Sequence, residues 1–186
     1  SASVGPYGDA ILRELVPAVE ARFRGLGQGW ARGLFGGSTG GWESVATQVL
    51  YPDRFNGAYA ACPDPITFTS YVTTNIYEAD NAFYYNSDFR STPRPGQRDH
   101  YSGQTWPGFG HPYGQTTVTA AETNHRELVL GSHSRSCGQW DVWEQVFSPV
   151  CADGFPCRLY DKKTGAINET VAAHWRDNYD LGHIMK

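Results

Sequence analysis

The chain has 186 residues, a net charge of −4 and a pI near 5.8. That length implies one domain, the lack of a basic surplus argues against nucleic-acid binding, and no run approaches the roughly 18 apolar residues of a membrane span. Apolar residues make up 40% and aromatics 14%, enough for a core, while charged residues at 18% fall below the roughly 25% usual for soluble domains.

The first element expected is an amphipathic helix from Asp9 to Arg24, with Asp9 as N-cap. Ile11, Leu12, Leu15, Val16, Val19 and Phe23 recur at helical spacing. Pro17 interrupts this pattern and predicts a kink or a restart. Trp30 to Phe35 reads as a short buried strand. Gly36-Gly37-Ser38-Thr39-Gly40 follows, and then Trp42, Val45, Ala46, Val49 and Leu50 repeat at helical spacing up to Pro52. Gly57 to Cys62 reads as a second buried strand, stopped by Pro63-Asp64-Pro65. Helix, strand, turn, helix, strand is the alternation of an α/β fold with a parallel sheet.

Residues 66–140 are rich in Tyr, Thr, Asn, Gly and Pro and carry little periodicity. Ser91 to Tyr113 contains Pro93, Pro95, Pro107 and Pro112 and is expected to be irregular. Helices are expected over Glu122–Leu130, Trp140–Phe147 and Glu169–Ile184. Residues 1–65 therefore read as an α/β core portion, and 66–186 as a cap-like, aromatic-rich insert of the same domain.

Gly36 to Gly40 fits G-x-S-x-G, a sharp turn that lifts a serine hydroxyl to the end of a strand. Small residues at Gly36 and Gly40 let strand and helix approach, Gly41 adds room at the helix start, and Gly37 completes the elbow glycines. Ser38 is the candidate nucleophile. The N–H of Thr39 is a candidate oxyanion donor, at a helix N-terminus whose partial charge favours an anion. Two other readings stay open: a plain glycine turn, and a phosphate loop, which is weakened because no Lys follows in the P-loop pattern.

A serine nucleophile needs a base and an orienting acid, in the chain order Ser, acid, His. His100, His111, His125, His133, His174 and His183 all follow Ser38. Asp141 with His174, or Asp161 with His183, satisfies the order, and the acid and histidine remain unassigned. Tyr71, Tyr77, Phe83, Tyr84, Tyr85, Trp106, Phe109, Trp140 and Trp143 could line an acyl or aryl pocket, or pack as core.

Cys62, Cys137, Cys151 and Cys157 allow disulfides or free thiols, and Cys151 with Cys157 could close a short loop. His133 and Cys137 lack the second short-spaced pair of a structural zinc site. Neither a metal nor a cofactor is expected. Asn168-Glu169-Thr170 is a glycosylation sequon. Position 1 is Ser and the one methionine is Met185, which reads as a processed or excised piece. Export is favoured over the cytoplasm.

Phe35-Gly36-Gly37-Ser38-Thr39-Gly40-Gly41-Trp42-Glu43 and Tyr51-Pro52-Asp53-Arg54-Phe55 resemble the putative esterase family of α/β-hydrolases, which includes esterase D and the enterochelin esterases. Asn75-Ile76-Tyr77-Glu78, Gly138-Gln139-Trp140-Asp141 and Tyr160-Asp161-Lys162 look like its large-insert branch. The similarity runs along most of the chain and is most specific over residues 33–65. It implies a partial or minimal α/β-hydrolase-like fold: the elbow plus a large, partly helical insert. It also implies ester hydrolysis through an acyl-enzyme on Ser38, with Thr39 as oxyanion donor and a small-molecule ester as substrate. The family's early strands would precede Ser1, and its acid and histidine would follow a further strand. The expected alternatives are a non-catalytic binding module, or a piece completed by a copy of itself or by a second polypeptide that extends the sheet.

Overall fold

The computed structural model describes Ser1 and residues 3–99, 105–106 and 116–186. His100, Pro107, Phe109, His111 and Pro112 lie outside the described residues. The chain divides into two compact units: Val4–Thr67 with Asp180–Lys186, and Ser1–Ser3 with Phe68–Tyr179. We call them the elbow unit and the aromatic unit.

The elbow unit begins with a continuous helix whose middle turn is widened. α1 (Tyr7–Ala10) runs into a π-helical turn over Ile11–Leu15 and then into α2 (Val16–Phe23). Pro17 has no N–H to return to the preceding turn, and the widened turn absorbs that loss. The helix starts after Pro6, so Asp9 is not its cap. Asp9 lies in the first turn and pairs with Arg13 at 3.3 Å. Arg32 donates from Nε and Nη2 to the two oxygens of Glu20, each at 2.8 Å, fastening α2 to the approach to the sheet.

β1 (Gly33–Gly37) pairs in parallel with β2 (Gly57–Ala61), and α3 (Thr39–Leu50) connects them. The first strand therefore starts later than the apolar run suggested. Trp30 belongs to a 3₁₀ turn over Gly29–Ala31. Side chains alternate across a strand. Gly36 faces α3, and Phe35, paired with Tyr59, lies on the opposite face. Those two rings are 81% and 73% exposed, whereas parallel sheets ordinarily have both faces covered. The chain leaves this unit after Thr67 and returns at Asp180. Thr67 Oγ1 donates to Asp180 Oδ2 at 3.1 Å, and Gly182 N donates to the Ile66 carbonyl at 3.1 Å.

The aromatic unit is more regular than its composition suggests. β3 (Tyr84–Ser87) and β4 (Arg90–Pro93) form a hairpin. β5 (Pro95–Asp99) lies between β6 (Thr105–Trp106) and β7 (Thr116–Thr119). The expectation of irregular chain over 91–113 is thus corrected for 91–99 and 105–106. Pro93 and Pro95 are accommodated at strand ends, beside a register shift between Pro95 and Gln97. α4 (Ala120–Leu130) opens on a capping box between Thr119 and Glu122, followed by α5 (Gln139–Phe147) and α6 (Glu169–Tyr179). The last predicted helix is broken at Asp180, whose Oδ1 accepts from His183 N as the cap of α7 (Leu181–Ile184).

The core of this unit is a stack of rings. Phe68 lies 5.1 Å from both Phe147 and Trp175, and Tyr71 lies 5.2 Å from Trp140 and Trp143, mostly edge to face. Such pairs add about 0.5–1.5 kcal/mol each beyond their burial. Tyr71, Phe83, Trp140 and Trp143 are all buried, so these four are core rather than pocket lining. Cys151 and Cys157 are bridged, while Cys62 and Cys137 are free and exposed.

Beside the rings is a buried charge hub. Lys162, 1% exposed, lies 3.2 Å from Asp141, 3.4 Å from Glu144 and 4.0 Å from Glu127. It also donates to Asn124 Oδ1 at 3.1 Å. The carboxylates in turn accept from the chain around them. Glu127 receives the N–H groups of Trp140 and Asp141, and so caps α5 from outside. Glu144 receives Leu159 N and Ser134 Oγ. Three acids around one ammonium leave an excess of negative charge. Burial pushes Glu127 up to about 7, against the pull of Lys162. Burial likewise raises Glu144. It works against Asp141 too, but bonds from Ser136 and the nearby Lys162 prevail and hold that carboxyl below its ordinary value.

Among the described residues, no group of His, Cys, Asp or Glu is arranged to hold a metal ion. No helix among them is long and apolar enough to cross a membrane.

Candidate active site

Ser38 occupies the turn between β1 and α3, with φ 54° and ψ −123°. A non-glycine residue there is strained by about 1–3 kcal/mol and persists only where its surroundings over-determine it. Here they do. Ser38 N donates to the Ala61 carbonyl at 3.0 Å. The Ser38 carbonyl accepts from Gly41 N at 2.9 Å, Trp42 N at 3.1 Å and Asp64 N at 3.2 Å. The turn is thus gripped from its own helix and from the chain leaving β2.

This geometry separates Ser38 from an ordinary helix-capping serine. A capping serine adopts extended backbone, and its hydroxyl accepts from an amide in the first turn. Ser38 stands at the N-cap position of α3 but has left-handed φ and makes no side-chain cap bond. Its side chain is exposed, so the first turn of α3 does not tie up the hydroxyl.

The glycines divide by role. A Cβ on Gly36 would lie 2.0 Å from the Gly40 carbonyl oxygen, so strand and helix can meet here only at a glycine. A Cβ on Gly41 would lie 3.2 Å from Pro63 Cα. Gly40 itself has open space and Gly37 meets nothing closer than 3.7 Å. The close approach expected of Gly40 is therefore made by its backbone against Gly36, and its missing side chain is not what permits it.

Thr39 is the first residue of α3 and is exposed. Its Oγ1 donates to Asp64 Oδ2 at 2.8 Å. Asp64 is 3% exposed. In the sequence it reads as part of a strand stop between two prolines, and its proximity to the elbow had no local signal.

Of the two acid–histidine pairs that satisfy the chain order, Asp141 and His174 fall in one unit and are held by different partners. Asp141 belongs to the hub, where it accepts from Ser136 N and pairs with Lys162. His174 sits beside Tyr179, and Asn178 Nδ2 lies 3.4 Å from its Nδ1. Neither a hydrogen bond nor an ion pair joins Asp141 to His174. Asp161 is committed to its own turn, where Oδ1 accepts from Lys163 N, Thr164 N and Thr164 Oγ1. His183 lies in the other unit, in α7.

Neither the curated proteins nor the solved structures contain a match to this chain. The family model described as Putative esterase matches residues 5–148, a span that includes the elbow and more than half of the chain. The chain therefore belongs to the putative esterase family.

Proposed function

We propose that the chain is a carboxylic-ester hydrolase in which Ser38 attacks the ester carbonyl, the C–O bond to the alcohol breaks with the hydroxyl proton passing to the departing alcohol, and water cleaves the resulting acyl-enzyme to the free acid and Ser38. The Thr39 N–H, at the positive end of α3, donates to the developing oxyanion. The observation that carries this reading is the backbone of Ser38: left-handed, at a strand-to-helix turn, with a side chain that does not cap the helix. Membership of an esterase family supports the class of reaction. The test is turnover of a short-chain aryl ester by wild type and Ser38→Ala. Turnover should fall by at least ~10³-fold in the variant, as in other serine hydrolases that lose the nucleophile. Equal turnover would remove the reading.

A second reading is favoured by the open face of the β1–β2 pair, where Phe35 and Tyr59 are exposed side by side. In it the elbow unit works as part of a larger sheet, to which a copy of the chain or a second polypeptide contributes. Activity per chain would then rise with protein concentration. A constant specific activity over a wide dilution series, with the chain monomeric throughout, would exclude it.

A further inference from the structure

We propose that Asp64 is a positioning residue for the elbow, holding Thr39 in register while touching no substrate. The inference rests on the reading of Ser38 as nucleophile and deepens it. Asp64 grips both residues of the turn. Its backbone N–H donates to the Ser38 carbonyl, and its carboxylate accepts from Thr39 Oγ1 at 2.8 Å. The preceding residue, Pro63, packs within 3.2 Å of the position a Cβ would take on Gly41. Residues 63–64 thus close over the start of α3 from the end of β2.

The chemistry argues for an acceptor here rather than for a charge. A carboxylate bonded to the hydroxyl of Thr39 stands close to where an oxyanion would form, and its negative charge works against that anion. What it supplies is geometry. The N–H of Thr39 can stabilise an oxyanion only if the residue is held before the reaction begins, and the Oγ1 bond fixes its side chain. The Asp64 N–H bond to Ser38 belongs to the main chain and survives any side-chain replacement, so the side-chain bond can be tested alone.

The test uses the full chain with Asp64→Ala, Asp64→Asn, Thr39→Val and the Ala/Val double variant. Three quantities are read: the rate of Ser38 labelling by a fluorophosphonate, amide exchange over residues 38–42, and the thermal midpoint. Asp64→Ala and Thr39→Val should each slow labelling about tenfold or more and speed exchange at Gly41 and Trp42 by a similar factor, the scale of one lost hydrogen bond. The double variant should be no worse than either single one. Asp64→Asn keeps an acceptor, so it should stay within about threefold of wild type.

Asp64→Ala matching wild type in labelling and exchange would overturn the proposal. So would an Asp64→Asn as damaged as Asp64→Ala, or a labelling loss that simply follows a fall in thermal midpoint. If wild type does not label at all, the nucleophile reading fails, and exchange still judges Asp64. Acceleration in Asp64→Ala with rescue by Asp64→Asn upholds its role, and unchanged exchange ends it.

Discussion

The elbow unit and the aromatic unit treat their apolar and charged groups in opposite ways. In the elbow unit Phe23, Trp30, Phe35 and Tyr59 are exposed, and the best-determined feature is a strained backbone turn at Ser38. In the aromatic unit the rings interlock, and three acidic side chains are buried around Lys162. One unit holds a strained turn through a few main-chain bonds. The other is organised by burial, and its charges are structural because their partners are helix ends and loops. A cluster of buried titratable groups is often a sign of a functional site. Here the exposed serine carries the candidate chemistry, and the buried acids cap α5 and fix residues 134–136.

The contrast is tested most severely at Lys162. Lys162→Met leaves three buried carboxylates without their cation, and unfolding should become easier by about 3–5 kcal/mol, read as a large fall in the thermal midpoint. A change below about 1 kcal/mol would mean that the carboxyls take up protons or are solvated once the cation is gone.

The next effect is pH dependence. Burial raises the Glu127 and Glu144 carboxyls above their unfolded values, Glu127 to about 7. A raised carboxyl stabilises the fold fully below the unfolded pKa of 4.5, and that contribution is lost as pH rises through the folded value. Stability should therefore fall by roughly 1 kcal/mol between pH 6 and pH 8.5, and Glu127→Gln should flatten the curve. A midpoint that climbs over this window would contradict the direction assigned to both carboxyls.

In the elbow unit the expected changes are smaller and of opposite sign. Ser38→Gly relieves a left-handed backbone and should raise stability by about 1 kcal/mol while abolishing activity. Calorimetry of the variant tests whether the turn is held under strain. Smallest of all, Phe35→Ser should shift the stability of the chain by no more than about 0.5 kcal/mol. A larger loss that grows with protein concentration would show that a partner covers that face.

What could be read from the sequence was local. The elbow, α3 and the β1–β2 pair follow from glycine spacing and short apolar runs, because their contacts lie within some 30 residues. The π-helical turn is a consequence of Pro17 that periodicity detects only as an interruption. The strands over 84–99 were hidden by prolines that sit at strand ends. The hub left no trace, since Glu127 comes from α4, Asp141 and Glu144 from α5 and Lys162 from a turn, and each resembles a surface charge. Asp64 was hidden for a related reason. Its partner Thr39 lies 25 residues earlier, across the βαβ crossover.

Ser38 is proposed as a nucleophile seated on a strained turn. Labelling with a fluorophosphonate, followed by peptide mapping, examines it most directly. A single adduct is expected on Ser38 and none in Ser38→Ala. An unlabelled wild type, or an adduct that persists in Ser38→Ala, would contradict it.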